Sequence, residues 1–292
     1  MAKDRMQRQR FELKYLLDEP TALAVRDFAG GYMDLDEAGL DKPNLSYRVN
    51  SIYLDSDPLY TLWDWVNSNR NRFKLRMRFY DPNPDTPVFC EIKRRVNGCI
   101  LKERCGVRKS AAELVLAGQF PPDEALFSRE AKHRVALENF ISLVSVLGAK
   151  PKALVTYLRE AYIDPENDGL RLTMDREVRI GPRETLDFSL RMPRYVQPFG
   201  QRIILALKFN NRFPKWFNEM VQCLGLTRGA AAKYCEGICS LRHPELANWP
   251  TKPVENPDPN RESLDIPQAS AGELGPLPRP SVNPITSAPP PI

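Results

Sequence analysis

The sequence predicts an α+β fold, a mainly antiparallel sheet or barrel with helices packed against it. Two observations lead there. Several short segments alternate apolar and charged side chains with the period of two that marks a strand with unlike faces. These segments follow one another with few long crossings, which favours antiparallel pairing. The clearest is residues 72–80, where Phe73, Leu75, Met77 and Phe79 form an apolar row and Arg72, Lys74, Arg76 and Arg78 a row of cations. Four like charges on one strand face repel each other. Either water solvates that row or a polyanion sits against it.

Taken in order, residues 10–17 form the first strand, with Arg10, Glu12 and Lys14 opposite Phe11, Leu13 and Tyr15. A helix over 19–33 follows, Pro20 suiting its first turn. Residues 34–44 are polar, with Gly39 and Pro43, and predict a loop. A second strand spans 47–55, and Asp57-Pro58 opens a short helix carrying Leu59, Leu62, Trp63 and Val66. After the strand at 72–80 comes the turn 81–84. Strands at 88–95 and 99–105 are joined by Asn97-Gly98, a strong hairpin signal. Ser110 and Glu113 have capping-box spacing for a short helix. Residues 128–147 carry a broad helical apolar face, including Leu137, Phe140 and Val144. Strands at 152–163, 170–180 and 201–209 follow, with Arg171, Thr173, Asp175, Glu177 and Arg179 in one phase. Helices over 211–224, with Pro214 in its first turn, and over 228–241 complete a domain of residues 1–242. Residues 243–292 hold 13 of the 27 prolines and end Ala-Pro-Pro-Pro-Ile. That composition buries too little apolar surface to order itself and predicts a disordered tail.

Composition narrows the function. The 292 residues are 42% hydrophobic and 27% charged, with a net charge of +5, and a pI near 8.8 leans towards an acidic partner. No apolar run approaches the ~18 residues of a membrane span, and no secretory segment is visible. The six cysteines contain no CxxC pair, which argues against zinc and for reduced, packed thiols in the cytoplasm. Trp63, Trp65, Cys235 and Cys239 are expected to pack in the core. With only His133 and His243 available, histidine-based nucleophilic catalysis is not expected.

Arg10, Lys14, Arg76, Arg78, Lys93, Lys102, Arg104 and Arg171 all occupy the polar face of their own strand, with carboxylates in phase at Glu12, Glu91, Asp175 and Glu177. A solvated face mixes signs so that opposite charges lie across from each other. If the sheet closes, these rows line one lumen. A cationic lumen with a few acids suits a polyphosphate chain plus a divalent metal.

Eight segments resemble, in order from about residue 8 to 241, the VTC polyphosphate polymerase domain of the triphosphate tunnel metalloenzyme, or CYTH-like, superfamily. They are Arg-Phe-Glu-Leu-Lys-Tyr at 10–15, Ser-Ile-Tyr-Leu-Asp at 51–55, Lys-Leu-Arg-Met-Arg at 74–78 and Glu-Ile-Lys-Arg-Arg at 91–95. Tyr-Leu-Arg at 157–159, Leu-Arg-Leu-Thr-Met-Asp at 170–175, the 207–216 segment ending Phe-Pro-Lys-Trp, and Ala-Lys-Tyr at 232–234 complete the set. The resemblance implies an antiparallel β tunnel, closed or nearly closed, with helices on its outside. It implies an ATP-dependent transferase that adds the ATP γ-phosphoryl to polyphosphate. On its motifs Arg76, Arg78, Lys93 and Lys208 are the catalytic cations, and Lys14, Lys102, Arg159, Arg171 and Lys233 bind phosphate or nucleotide. Such chemistry needs charge neutralisation rather than a protein nucleophile.

One position departs from the family. Where the resemblance implies a glutamate holding Mn²⁺ or Mg²⁺, this chain has Ala206. Glu12 and Glu91 are the remaining candidate ligands. The alternative is therefore a weak or inactive module that binds polyphosphate or nucleotide. A triphosphatase is a second alternative, disfavoured because Arg10 replaces the first acid of the superfamily's Glu-x-Glu-x-Lys run. ATP and polyphosphate are the expected partners. Nucleic acid is not, since clustered cations with exposed aromatics are missing. With no span in the chain, any translocation would need a separate membrane partner.

Overall fold

The computed structural model describes residues 10–97, 99–166 and 169–241. The chain divides into Met1–Asn256 and Pro257–Ile292, and the second unit lies outside the described residues, as does all of the expected proline-rich tail. In chain order the elements are β1 (Arg10–Leu17), α1 (Glu19–Ala29), β2 (Asp34–Leu35), β3 (Ser46–Asp55), α2 (Tyr60–Val66), β4 (Arg72–Phe79), β5 (Pro87–Val96) and β6 (Cys99–Arg108). Then come α3 (Ala112–Leu116), α4 (Ala131–Leu147), β7 (Lys150–Ile163), β8 (Arg171–Pro182), β9 (Ile203–Asn210), α5 (Lys215–Cys223) and α6 (Lys233–Leu241).

The nine strands form one antiparallel sheet of order β1-β9-β8-β7-β3-β4-β5-β6, with the two-residue β2 added to β7. The segment read as a loop at 34–44 thus holds a short strand and two single 3-10 turns. Ser110 and Glu113 form no capping box. A 3-10 turn at Lys109–Ala111 leads into α3, and its N-cap Ala111 has no side chain able to accept. Pro214 precedes α5 as its N-cap residue instead of lying in its first turn. Asn97 takes the left-handed conformation (φ 47°) that a tight hairpin asks for.

Among the described residues hydrogen bonds do not close the sheet, so a closed barrel is not established. It is nevertheless strongly curled. Lys93 on β5 reaches Glu12 on β1, 2.8 Å away, although five strands separate them in the sheet order. The edge strands β1 and β6 also lie alongside each other. The face that carries Lys93 and Glu12 is therefore concave.

The register fixes what else shares that face, because directly paired residues point the same way. Tyr53, Arg76, Glu91 and Arg104 stand in one row, and Lys74, Lys93 and Lys102 in the next. Lys14, Ala206 and Thr173 form a third row, Glu12, Lys208 and Arg171 a fourth, and Arg159 pairs with Asp175. The convex face carries the other parity. There Tyr15, Leu17, Leu172, Met174, Leu205 and Leu207 are covered by Ala22, Val25 and Ala29 of α1 and Phe217 and Met220 of α5. Helix α4 lies over β5 and β6.

Not every helix lies outside, as the resemblance implied. Toward one end the concave face turns apolar, with Val49, Val155, Val178, Ile180 and Ile204, and α6 packs there through Tyr234, Cys235, Ile238 and Leu241. Leu59 and Leu62 at α2 join the same core, and Trp63 and Trp65 pack against it, as expected. The cause is local composition. An inner face whose cations give way to valine and isoleucine needs cover, at roughly 25 cal/mol per Å² of apolar surface. Buried Asp55 ties the cover down. It accepts from the Thr61 and Leu62 amides and the Thr61 hydroxyl of α2, and from the Tyr234 hydroxyl of α6 at 2.8 Å. Burial raises its pKa, and that shift is only partly offset by these donors.

The expected phase of β8 breaks midway. Glu177 takes a left-handed conformation (φ 50°), and the register with β7 shifts between Thr156 and Leu158. This bulge turns Val178 and Ile180 inward and leaves Glu177 and Arg179 as an exposed pair, 2.9 Å apart, off the cationic face.

Helix α6 approaches β8 closely at Gly237, where an added Cβ would lie 2.7–2.9 Å from the Ile180 side chain. Gly237→Ala is expected to destabilise the domain by about 1–3 kcal/mol through overpacking, which lowers Tm by roughly 2–4 °C per kcal/mol. Thermal denaturation checks this, and an unchanged Tm contradicts it.

Candidate functional site: the cationic concave face

Strand geometry alone brings the charges together. Ladder neighbours stand about 4.5–5.5 Å apart, so rows of Lys and Arg on β4, β5 and β6 converge unless carboxylates intervene. Glu91 does so at the centre. It is fully buried, and its Oε2 lies 2.7 Å from Arg76 Nη2 and 3.7 Å from Arg78 Nε. Its Oε1 lies 2.8 Å from Lys102 Nζ and 3.6 Å from Arg104 Nε. One anion thus faces four cations. Burial raises the Glu91 pKa, but Arg76, Arg78 and Lys102 outweigh it and hold the carboxyl well below its usual range. Arg76 also donates to the Tyr53 hydroxyl at 3.0 Å, and Arg78 to the Tyr157 hydroxyl at 3.4 Å. Arg104 lies over the Phe89 ring at 3.5 Å.

A second cluster surrounds Asp175. Arg159 grips it with two parallel bonds of 2.7 and 2.9 Å, and Lys233, from the first turn of α6, adds a third at 2.7 Å. Here too burial raises the acid's pKa while Arg159 and Lys233 hold it far down. Arg171 meets Asp36, from the segment after β2, at 2.5 Å.

The third cluster is short of negative charge. Glu12 pairs with Lys93, while Lys14 donates to the Ala231 carbonyl at 2.6 Å and Lys208 to the Thr173 hydroxyl at 3.0 Å. Burial pushes the Lys14 pKa down to about 7, and Lys93, Lys233 and Lys74 act the same way against Glu12. Lys208 is likewise lowered, by burial and then by Arg159. Burial, opposed by Glu91 and reinforced by Arg76 and Arg78, takes Lys102 to about 7. Its side chain is 42% exposed, so water moderates that shift and the drop at Lys14 is the firmer one.

All nine cations expected from the sequence therefore lie on one concave surface: Lys14, Arg76, Arg78, Lys93, Lys102, Arg159, Arg171, Lys208 and Lys233. Lys74 and Arg104 join them. Their phase was visible in the sequence, and Lys74 opens the 74–78 segment, but neither was assigned a role. Lys74 donates to Cys235 Sγ at 2.9 Å and so links the cationic face to α6. Asp36 is the partner that sequence reasoning missed, because it sits in a segment without periodicity.

The two expected metal ligands are placed otherwise. Glu91 is surrounded by four cations and Glu12 is paired with Lys93. Ala206 presents a methyl group between Lys14 and Thr173 in the register. No three His, Cys, Asp or Glu among the described residues are grouped to hold an ion. A divalent cation needs several oxygen donors, and every inner carboxylate is already matched by ammonium or guanidinium. The residues present do not by themselves fit the metal.

Among the described residues no helix is long and apolar enough to cross a membrane. Their cysteines are unbridged, with Cys90, Cys105 and Cys235 buried.

No curated protein sequence matches significantly. Among solved structures, a candidate adenylate cyclase from Bacillus halodurans superposes with a TM-score of 0.44 at 12% identity, covering 77% of this chain and 94% of its own. The family model of the VTC domain matches residues 9–242, a span that takes in every strand of the sheet and all six helices among the described residues. The chain belongs to the VTC domain family.

Proposed function

We propose that this domain holds a linear polyphosphate chain, or the triphosphate of a nucleotide, along the concave face of its sheet. One observation carries the reading: eleven cations meet there with only four carboxylates, Glu12, Glu91 and Asp175 on the face itself and Asp36 on Arg171. The excess is larger than the charge of one nucleotide triphosphate, which favours the longer chain. Charge-assisted hydrogen bonds to phosphate are the strong kind, and arginine's planar fork matches the oxygens in pairs.

A second reading is supported by the family and by the intact cation set: a polymerase passing the ATP γ-phosphoryl to the end of the chain. In it Arg76, Arg78, Lys93 and Lys208 orient the phosphates and neutralise charge in the transition state. Ala206 argues for the first reading, because the carboxylate that would complete the site is missing. The test mixes purified protein with ATP and Mn²⁺ and follows polymer, ADP and free phosphate, with polyphosphate binding measured in parallel. The first reading expects binding with little polymer, and a gain of about tenfold or more in polymer for Ala206→Glu, equivalent to roughly 1.4 kcal/mol. Rapid polymer formation by the wild type establishes the polymerase. Free phosphate without polymer points to a triphosphatase, and failure to bind either polyanion overturns both readings.

A pH dependence follows from the same cations. In the free protein burial lowers the Lys14 pKa to about 7 and moves that of Lys102 in the same direction, less where water reaches it. A bound polyanion raises both values, so binding takes up protons between about 7 and the higher bound-state values. Affinity is expected to be level below about pH 7 and to fall as pH rises beyond it. Calorimetry in buffers of different ionisation enthalpy, at about pH 6 and about pH 8.5, should register proton uptake only at the higher pH. Equal uptake at both contradicts the assignment.

A further inference from the structure

The inner-face phase continues past the clusters described above. Two residues beyond Lys74 and Lys93 on each strand, Arg72 and Arg95 are directly paired across β4 and β5. Like charges placed opposite each other destabilise a sheet, and elsewhere on this face a carboxylate offsets them. Here no ion pair is formed by Arg70, Arg72 or Arg95 among the described residues, and burial and then Arg95 lower the Arg72 pKa while Asp64 acts against them. Arg72 gives a hydrogen bond of 2.5 Å to the Asn69 carbonyl. Asp64 also accepts from the Asn69 side chain at 2.7 Å. The three arginines, with Ser68 and Asn97, border an open depression of ≈ 560 Å³. It lies at the end of β4 and β5 beside α2, which packs on β4 and β3, while α6 covers β7 and β8.

We propose that Arg70, Arg72 and Arg95 form a rim site for the distal phosphates of a polyphosphate chain, beyond the part gripped by Arg76, Arg78 and Lys102. The proposal rests on the phosphate-chain reading and adds a direction to it: the chain runs along β4 and β5 and leaves beside α2. Arg72 and Arg95 stand four residues from Arg76 and Glu91, roughly 13 Å along the strands. A triphosphate centred on Arg76 and Arg78 does not span that distance, whereas a long chain does. The rim therefore discriminates by length.

The test compares wild type with Arg70→Gln/Arg95→Gln, both largely exposed positions, using tripolyphosphate and long-chain polyphosphate as probes. A Lys132→Gln/Lys215→Gln protein, changed at exposed lysines elsewhere, controls for net charge. The rim variant is expected to lose about tenfold or more in affinity for the long chain, and at least fivefold less for tripolyphosphate. Its salt slope for the long chain should flatten by about 1.4, at roughly 0.7 per lost contact on a single strand. Equal losses on both probes, or a loss no larger than the control's, overturn the rim site and leave the phosphate-chain reading standing. If the wild type binds neither probe, that reading falls and the rim site with it.

Discussion

Arg76→Ala is expected to weaken polyphosphate binding about 10- to 150-fold, the equivalent of one charge-assisted contact worth roughly 1.5–3 kcal/mol. The size of the effect follows from position. Arg76 is mostly buried, lies on Glu91 and donates to Tyr53, so its guanidinium is held before any ligand arrives. Opposed by burial, Tyr53 and Glu91 still raise its pKa, which keeps it charged at any working pH. Three cations remain on Glu91 after the substitution, so the domain should fold. Combining it with Arg78→Ala should compound the loss. Equilibrium binding with tripolyphosphate measures both, and a change of less than twofold contradicts the placement of the chain.

Glu91→Gln is expected to do the opposite to binding while damaging stability. Removing the anion leaves Arg76, Arg78, Lys102 and Arg104 facing one another without a counter-charge. Breaking a buried pair in this way costs about 3–5 kcal/mol. Because the Glu91 pKa is depressed in the folded state, its contribution is present above the ordinary carboxylate range and lost as pH falls through the depressed value. The variant's deficit should therefore be largest near neutrality and shrink progressively as pH falls below the ordinary glutamate value of 4.5. Denaturant unfolding reads it directly. Added tripolyphosphate should restore most of the loss, with roughly tenfold tighter binding, since the site has gained a unit of positive charge at short range. A variant that is destabilised but binds no more tightly would mean that Glu91 serves the fold alone.

Much of this arrangement was legible in the sequence. Period-two alternation marked the long strands, and its phase placed Arg76, Arg78, Lys93 and Lys102 on one side without reference to any structure. Three features were not legible, each for a physical reason. The bulge at Glu177 reverses the phase of β8 through one left-handed residue that is not glycine, and no composition signal announces it. The location of α6 was hidden because an amphipathic helix shows the same stripe whether it covers the outside of a sheet or fills its hollow. Only the valines and isoleucines at one end of the inner face decide between them. The pairing of Glu12 and Glu91 with cations was invisible for a third reason. A carboxylate in phase with lysines suits a metal ligand and a counter-charge equally well, and only distances separate the two. Ala206 stood out in the sequence, and the register gives it meaning by setting its methyl group between Lys14 and Thr173 on the cationic face.

The most direct test of a phosphate chain on the concave face is a crystal structure of the full chain with tripolyphosphate bound. The account predicts phosphate oxygens within hydrogen-bond distance, about 2.7–2.9 Å, of the Arg76 and Arg78 guanidinium groups and Lys102. Phosphate seen only on the convex surface or at exposed lysines, with the Glu91 cluster unchanged, would contradict it.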